Sequence, residues 1–348
     1  MSAQSILFCL IPLVVPVCGL TQSMPPAMQQ GLEREFKFSA DDIAKVEAGK
    51  ATARMVHTGQ PDDVLMVGVV LIKTSAEQYL KAFRDIENFA VSPEVVRTKR
   101  FSSPPSEADL ADFRTLDAKK DILACRPGHC AYKLPAAEMT AIQTGINWNA
   151  PDADAKAQAL IHERVLRYLN NYRQKGDSAL AVYYDTDSPY SVADGLHSLI
   201  GSETEIAKVV PQLVRYASEY PANRPPNTED FFYWQEAAFG LKHVVRTEHV
   251  LIQKLPEAAG DPHYAVISKM LFATHYFRAA VEFQYLYPVR TPSGEPAFYL
   301  LSAQRSYVDG LTGAKGAIIR KVAEGRSPAR LADNLQQAKQ RLEKTLVR

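Results

Sequence analysis

Apolar residues along the first hundred positions change from the spacing of a helix to that of strands and back. A polar, Pro-bearing stretch at 23–36 predicts a linker, and Ser39 followed by two acids predicts a capped helix through Val46. Alternating positions at 50–56 and a dense β-branched run at 64–72 predict two strands joined by a turn. Ser75 then opens a helix in which apolar residues recur at helical spacing.

The middle of the chain, 102–228, has helical periodicity interrupted by Pro and Gly. The clearest helix covers 154–174 and ends at Gly176. Shorter helices are predicted at 106–124, 136–144, 191–200 and 203–219, and one strand at 180–184. We therefore expect a mostly helical insertion between two parts of a sheet.

Strand patterns return in the last third of the chain. A short aromatic helix from Thr228 is predicted first, because Phe231, Phe232 and Trp234 stand close together. Four strands follow at 241–253, 264–272, 276–287 and 298–307, and their short turns predict an antiparallel meander. A terminal helix over 311–346, bent at 325–328, completes the pattern.

Composition narrows the class of protein. The chain has 348 residues, 46% of them hydrophobic, with 40 Lys and Arg against 39 Asp and Glu. That length and apolar fraction can bury a sizeable core, so disordered and collagen-like classes are excluded. A formal charge of +1 carries no electrostatic signature of a nucleic-acid-binding protein.

The N-terminus has the length and composition of an export signal. Residues 6–17 form an uncharged apolar run that is too short to span a bilayer, and a polar stretch follows Leu20. We interpret 1–22 as a cleaved signal peptide, and hence expect a periplasmic or secreted protein. Lipid attachment at Cys18 and a buried N-terminal helix are the alternatives. No later run is long enough to span a membrane.

Removal of that segment takes Cys9 and Cys18 from the folded domain and leaves Cys125 and Cys130. In an oxidising compartment this isolated pair, set around Pro127 and Gly128, predicts a local disulfide that fixes a turn. Reduced thiols and a metal site that includes His129 are the alternatives, although such a site lacks a fourth ligand.

The order of elements resembles the helix-grip arrangement of START-like domains. Two strands, a helix, a long insertion, four antiparallel strands and a terminal helix are shared, over residues 49–101 and 229–348. The resemblance implies an α+β fold with a curved antiparallel sheet, and a lipid or other apolar ligand between the sheet and the terminal helix. Segments at 125–135, 273–277, 299–301 and 305–311 also resemble an uncharacterised exported bacterial family, which implies no catalytic residues.

Strand alternation selects candidate ligand-binding residues. Alternate residues from His275 to Tyr287 share one aromatic face, and alternate residues from Tyr299 to Tyr307 share a face of the next strand. Arg305 could join Glu282 or His275 in a polar cluster that orients a head group, and a semi-buried ion pair is the alternative. The candidate ligand-binding residues are Phe277, Val281, Phe283, Tyr285, Tyr299, Leu301, Arg305 and Trp234.

The patterns that could indicate catalysis are weak. Glu248 and His249 are strand neighbours and point to opposite faces, so no catalytic residue is assigned. Gly310, Gly313 and Gly316 predict close backbone packing rather than a phosphate cradle with Lys315. Ser198 is interpreted as an ordinary helix residue, since its flanking glycines do not match a nucleophile elbow. No metal-ligand or cofactor motif is present, and we expect no cofactor.

These observations lead to three hypotheses. The first is an exported, non-enzymatic START-like protein that binds a lipid or other apolar small molecule, with peripheral membrane contact left open. The second is a hydrolase-type enzyme whose titratable residues converge where the sheet meets the insertion. The third is a structural protein of the cell envelope with a filled core.

Overall fold

The computed structural model describes residues 23–90, 92–114, 121–201, 205–238, 242–311 and 313–345, with backbone alone at 205–206, 313–326 and 345. The expected signal peptide, with Cys9 and Cys18, lies outside these residues. Among the described residues, no helix combines the length and hydropathy needed to cross a bilayer.

Two short helices precede the sheet. The expected linker at 23–36 contains a helix, α1 (Pro26–Arg34), which begins with Pro at its first turn and buries Met28 and Leu32. Helix α2 (Ala40–Glu47) follows as predicted, and a capping box between Ser39 and Asp42 starts it. The linker prediction was wrong because two buried residues four positions apart are a weak signal in a polar segment.

The protein is an α+β structure built on an eight-stranded antiparallel sheet. In spatial order the strands are β1, β2, β10, β9, β8, β7, β6 and β3, so β1 and β3 form the two edges. The strands are β1 (Thr52–Val56), β2 (Asp63–Ile72), β3 (Val95–Arg100), β6 (Thr228–Ala238), β7 (His243–Lys254), β8 (Tyr264–Ala273), β9 (Phe277–Arg290) and β10 (Pro296–Val308).

Helices connect and cover these strands. Helices α3 (Ala76–Arg84) and α4 (Ile86–Phe89) join β2 to β3. Between β3 and β6 lies the insertion, and the chain ends in helix α10 (Gly313–Thr345), which contains Pro328. The insertion contains a 3-10 turn (Glu107–Leu110), α5 (Ala136–Gly145), α6 (Ala153–Lys175), a 3-10 turn (Gly176–Ala179), β4 (Val182–Tyr183), β5 (Tyr190–Ser191), α7 (Val192–Ile200), α8 (Glu205–Lys208) and α9 (Pro211–Glu219).

The sheet buries both of its faces, and each face packs against different elements. On the insertion face, residues such as Val67, Tyr299 and Ile267 pack in one core with the N-terminal and insertion helices. On the helix face, residues such as Val70 and Leu300 pack in a second core with α3 and the described part of α10. Strand alternation separates the two cores, since adjacent residues of one strand point in opposite directions.

The described part of α10 lies along β1 and β2. Leu331 and Leu335 are buried in the helix-face core, and the Lys339 ammonium donates a hydrogen bond to the Leu71 carbonyl at 2.8 Å. Gly68 permits this approach, because a Cβ at that position would lie 2.6 Å from Leu335 Cδ1. The side chains around Gly313, Lys315 and Gly316 fall outside the described part of the chain.

The aromatic segment after Thr228 is a strand, and the prediction of a helix there was wrong. In β6, Phe231 and Tyr233 point to the helix-face core, whereas Phe232 and Trp234 point to the insertion-face core. Four consecutive aromatic residues therefore supply two buried faces at the two-residue period of a strand. Strand β3 was not predicted, because only Val95 and Val96 precede its three basic residues.

Cys125 and Cys130 form the expected disulfide, with their Cα atoms 4.3 Å apart. Residues 126 and 129 form a β-bridge within the loop, and Gly128 at its tip has φ +85°. Such a backbone conformation favours glycine, so the turn residue and the bridge act together. Part of the helix expected at 106–124 falls outside the described residues.

Candidate functional site

A cleft of about 550 Å³ runs beside the edge strand β1, between α2 and α10. We call it the edge cleft. It is lined by residues of α2, of β1, of the β1–β2 turn, of β2 and of α10, which are Asp42, Ala53, Arg54, Met55, Val56, His57, Thr58, Gln60, Pro61, Asp63, Val64 and Pro328.

Strand alternation divides the lining into two walls. Arg54 pairs with Val67, which belongs to the insertion-face core, so its side chain lies on the α2 side together with Asp42. Met55 pairs with Met66 of the helix face and lies on the same side as Pro328. Because neighbouring β1 residues point in opposite directions, one wall is polar and the other is apolar.

The polar wall depends on the cap of α2. The Ser39 amide and hydroxyl donate to Asp42 Oδ2 at 2.8 and 2.9 Å, and Arg54 Nε and Nη2 lie 2.6 and 2.5 Å from the same oxygen. Burial works against ionisation of Asp42, but the hydrogen bonds from Ser39 and Arg54 hold the pKa of its carboxyl below the usual value. The helix cap thus fixes the carboxylate, which in turn orients the guanidinium.

A second ion pair holds Asp63, which also lines the cleft. The Asp63 carboxylate, with 2% of its side chain exposed, binds Arg305 through Nε and Nη2 at 2.9 and 2.6 Å. The hydrogen bond to Asp63 raises the pKa of Arg305, against the effect of burial. Arg305 pairs with Val281 across the strands and therefore lies on the opposite face from Glu282. The expected polar cluster with Glu282 is not formed, and the semi-buried ion pair is.

The helix face contains a row of polar side chains that continues inward from the apolar wall. Met66 pairs with Gln304, which pairs with Glu282. Glu282 Oε1 accepts hydrogen bonds from Ser302 Oγ at 2.8 Å and Gln284 Nε2 at 2.9 Å. The described neighbours thus satisfy Glu282 with neutral donors.

Glu248, in β7, also lies on the helix face of the sheet. Burial raises the pKa of its carboxyl to about 7, although Arg246 at 3.5 Å acts in the other direction. His249, the next residue, is fully buried on the insertion face, where it lies 3.0 Å from the Tyr172 hydroxyl and 3.3 Å from Asp230. The two side chains point apart as expected, so they do not form an acid-base pair.

Titratable groups also converge where the sheet meets the insertion. Lys133 Nζ donates to Asp185 at 3.0 Å and to Asp309 at 2.5 Å, and Arg278 binds Asp309 and Asp62. Each of these charges has an opposite charge as its partner. The cluster has the composition that the hydrolase hypothesis requires, but its charges are used to join the insertion to β9 and the end of β10.

Most of the expected ligand-binding residues lie in the insertion-face core. Tyr285 and Tyr299 are fully buried there, and the Trp234 indole donates to the Asp109 carbonyl at 2.8 Å. Residues of the same core also include Val281, Leu301 and, at its partly buried margin, Phe283. The insertion helices cover this face, whereas the described part of α10 lies on the other, so these residues do not line the edge cleft.

Phe277 is separated from this group by a bulge. Tyr307 pairs with Ala279 and Val308 pairs with Phe277, so Arg278 is an extra residue in β9. The bulge turns Phe277 away from the insertion-face core and into a small cluster with Val244 and Met270. The expectation that Phe277 shares a face with Val281 was therefore wrong.

The residues that line the edge cleft were missed as ligand contacts. The sequence indicated Asp42 only as a helix-cap residue and Arg54 only as a member of a strand. The two residues are twelve positions apart and belong to no common motif. Only the packing of α2 against β1 brings them together. The position of Arg54 on the face opposite Met55 was the one available signal.

Comparison with known proteins adds no identity to this geometry. A scan against protein-family models found no match, and a search of curated protein sequences found none either. In the part of the chain that the structure describes, no group of three His, Cys, Asp or Glu residues is placed to hold a metal ion.

Proposed function

We propose that the protein is an exported, non-enzymatic binding protein for a lipid-like amphiphile, which it holds in the edge cleft. The observation that carries the proposal is the division of the cleft into a polar wall at Asp42 and Arg54 and an apolar wall at Met55, Val64 and Pro328. A volume of about 550 Å³ falls in the range of small-molecule sites.

The architecture supports this assignment. The sheet order, with β2 beside β10 and a long helix after β10, is compatible with the helix-grip arrangement that the sequence resembles. The edge cleft is lined by the edge of the sheet and by the terminal helix, the two elements between which that resemblance implies a ligand. The proposal thus keeps the ligand class expected from the sequence and moves the contacts from the aromatic face to the edge strand.

The test uses the full chain and the neutral apolar fluorophore N-phenyl-1-naphthylamine. We expect saturable binding with one site, weakened at least about tenfold by Val64→Trp, because the indole fills the space beside the apolar wall. Thr58→Trp in the β1–β2 turn is a second variant that does not alter a strand. Val96→Trp, on the exposed opposite edge strand, is the matched control and should bind as the wild type does.

Unfolding midpoints of the three variants separate loss of the site from loss of the fold. Equal binding by Val64→Trp, Thr58→Trp and Val96→Trp would place the ligand elsewhere. Failure of the folded wild type to bind this probe, dodecanol and dodecanoate would overturn the proposal and favour the envelope-scaffold hypothesis.

A further inference from the structure

The charges that line the edge cleft differ in how far they reach into solvent. The carboxylate-bearing side chains are covered, with 10% of Asp42 and 2% of Asp63 exposed, whereas 42% of the Arg54 side chain is exposed. Arg305 covers Asp63, and the Ser39 cap covers Asp42. Although the two ion pairs are neutral in sum, the charge that faces the cleft is cationic.

Arg54 is held in place before any ligand arrives. Its Nε and Nη2 atoms both bind Asp42 Oδ2, so one edge of the planar guanidinium is used. Nη1 makes no hydrogen bond to another described residue, which leaves its N–H groups for an acceptor in the cleft. A guanidinium oriented by a fixed carboxylate loses little rotamer freedom on binding, and its planar donors match an oxyanion.

Polar groups of the β1–β2 turn also line the cleft. Thr58 and Gln60 lie there, and His57 is exposed beside them. The Thr58 hydroxyl already donates to the Asp63 carbonyl at 3.0 Å, whereas the Gln60 side-chain amide can donate a hydrogen bond to an anionic group without competing with Arg54 for charge. An ammonium group in their place would approach the exposed guanidinium while both carboxylates stay covered, and like charges repel.

We propose that the ligand of the edge cleft is an amphiphile with an oxyanion head group, a carboxylate or a phosphate monoester, and that Arg54 selects it. This inference rests on the proposed function, because it requires the alkyl part to lie against Met55, Val64 and Pro328. It adds the chemical class of the head group and the residue that recognises it.

The experiment compares ligands that share one alkyl chain and differ in the head group. Dodecanoate, dodecyl phosphate, dodecanol and dodecylammonium displace N-phenyl-1-naphthylamine from the full chain at pH 7.5, below the concentration at which each forms micelles. A charge-assisted hydrogen bond in a partly buried site predicts an affinity about 10- to 100-fold higher for at least one anion than for dodecanol. The two anions also distinguish a fatty-acid ligand from a phosphate-bearing one.

Variants assign that preference to Arg54. In Arg54→Gln the preference for the anion over dodecanol should vanish while dodecanol and the fluorophore bind as before. Arg54→Lys keeps the charge without the planar donors and should retain part of the preference. Arg215→Gln, which removes an exposed Arg from an ion pair with Glu219 on α9, is the matched control and should keep all of it.

Each outcome that differs from the expected one contradicts a different part of the proposal. Equal affinity for dodecanol and both anions overturns the head-group inference and leaves the apolar cleft intact. Strongest displacement by dodecylammonium overturns it as well, since Asp42 would then be the recognising group. An equal loss of all ligands, with the fluorophore included, in Arg54→Gln would show that Arg54 supports the fold only. Absence of any binding to the wild type would instead overturn the proposed function.

Discussion

The two faces of the sheet use buried polar residues in different ways. On the insertion face, Lys269 is fully buried, bound to Asp177 at 2.6 Å, and His249 is enclosed by Tyr172, Tyr220 and Phe232. On the helix face, Glu282 accepts from neutral donors and Glu248 has Arg246 3.5 Å away. Closed ion pairs fix the insertion to the sheet, whereas the edge cleft leaves space beside β1, between α2 and α10.

The difference between the two faces indicates where this fold can bind a ligand. Where buried charges are paired and aromatic rings are in contact, the side chains themselves fill the interior. The residues that looked most suited to an apolar ligand, such as Tyr285 and Tyr299, are used for packing against helices. The edge of the sheet provides the space, because β1 has a neighbouring strand on one side only.

The largest expected effect comes from breaking the ion pair of the insertion face. Lys269→Met leaves the buried Asp177 carboxylate with the His197 ring, at 2.9 Å, as its remaining side-chain partner, and should lower the free energy of unfolding by about 3–5 kcal/mol. Urea unfolding gives the measurement. Lys254→Met, at the exposed end of β7, should cost less than about 0.5 kcal/mol. A further Asp177→Leu change should restore much of the loss, and continued instability of the double variant would contradict this account.

The next effect distinguishes the faces by the pH dependence of stability. Burial lowers the pKa of His249 to about 4, so its contribution lowers the free energy of unfolding as pH falls from about 6.5 to 4. Burial raises the pKa of Glu248 to about 7, so its contribution lowers the free energy of unfolding as pH rises from about 4.5 to 7. Each contribution reaches about 3 kcal/mol, and the two slopes oppose each other between about pH 4.5 and 6.5.

Single substitutions separate these slopes. Compared with the wild type, Glu248→Gln should make stability rise more steeply with pH in that window, and His249→Gln should make it fall, each by about 1.4 kcal/mol per pH unit. Denaturant titrations at half-unit intervals of pH give the slopes. Parallel profiles for the wild type and both variants would show that neither group has the shifted pKa.

Loss of the disulfide should have a smaller effect that stays on the insertion side. Replacing Cys125 and Cys130 by Ser should lower the free energy of unfolding by about 2 kcal/mol, since the closed loop is short. Fluorophore binding in the edge cleft should not change, because the loop does not contact it. Reductant added to the wild type is the control and should reproduce both results. A change in fluorophore binding would show that the disulfide loop and the edge cleft are coupled.

The substitution expected to change stability least should change ligand preference most clearly. Ser39→Ala removes the side-chain cap of α2 and the hydroxyl donor to Asp42, while the backbone amide donor remains, and should cost about 1 kcal/mol while reducing the preference for anionic head groups. Ser75→Ala, at the N-cap of α3, is matched in chemistry and should have a similar cost without altering ligand preference. Equal preferences in the two variants would separate Asp42 from the orientation of Arg54.

Local signals in the sequence were sufficient for most elements. Ser39 and Ser75 marked helix starts correctly, Gly176 marked the end of the longest insertion helix, and the four strands of the meander lie close to their predicted bounds. These features depend on nearby residues: a cap bonds within one turn, and alternation is a property of one strand. The aromatic run of β6 was misinterpreted because four consecutive aromatic residues have no helical or strand period of their own.

Short-range patterns in the sequence were sufficient for most of the elements, the α+β class, the disulfide pair and the relative facing of residues within a regular strand, because each depends on local geometry. Tertiary structure alone decided which helices cover which face, how the Arg278 bulge turns Phe277, and that Arg305 meets Asp63. It also created the edge cleft from α2, β1 and α10, which are far apart in the chain. Alternation states that two faces exist, but packing between distant segments decides what covers each face and where space remains.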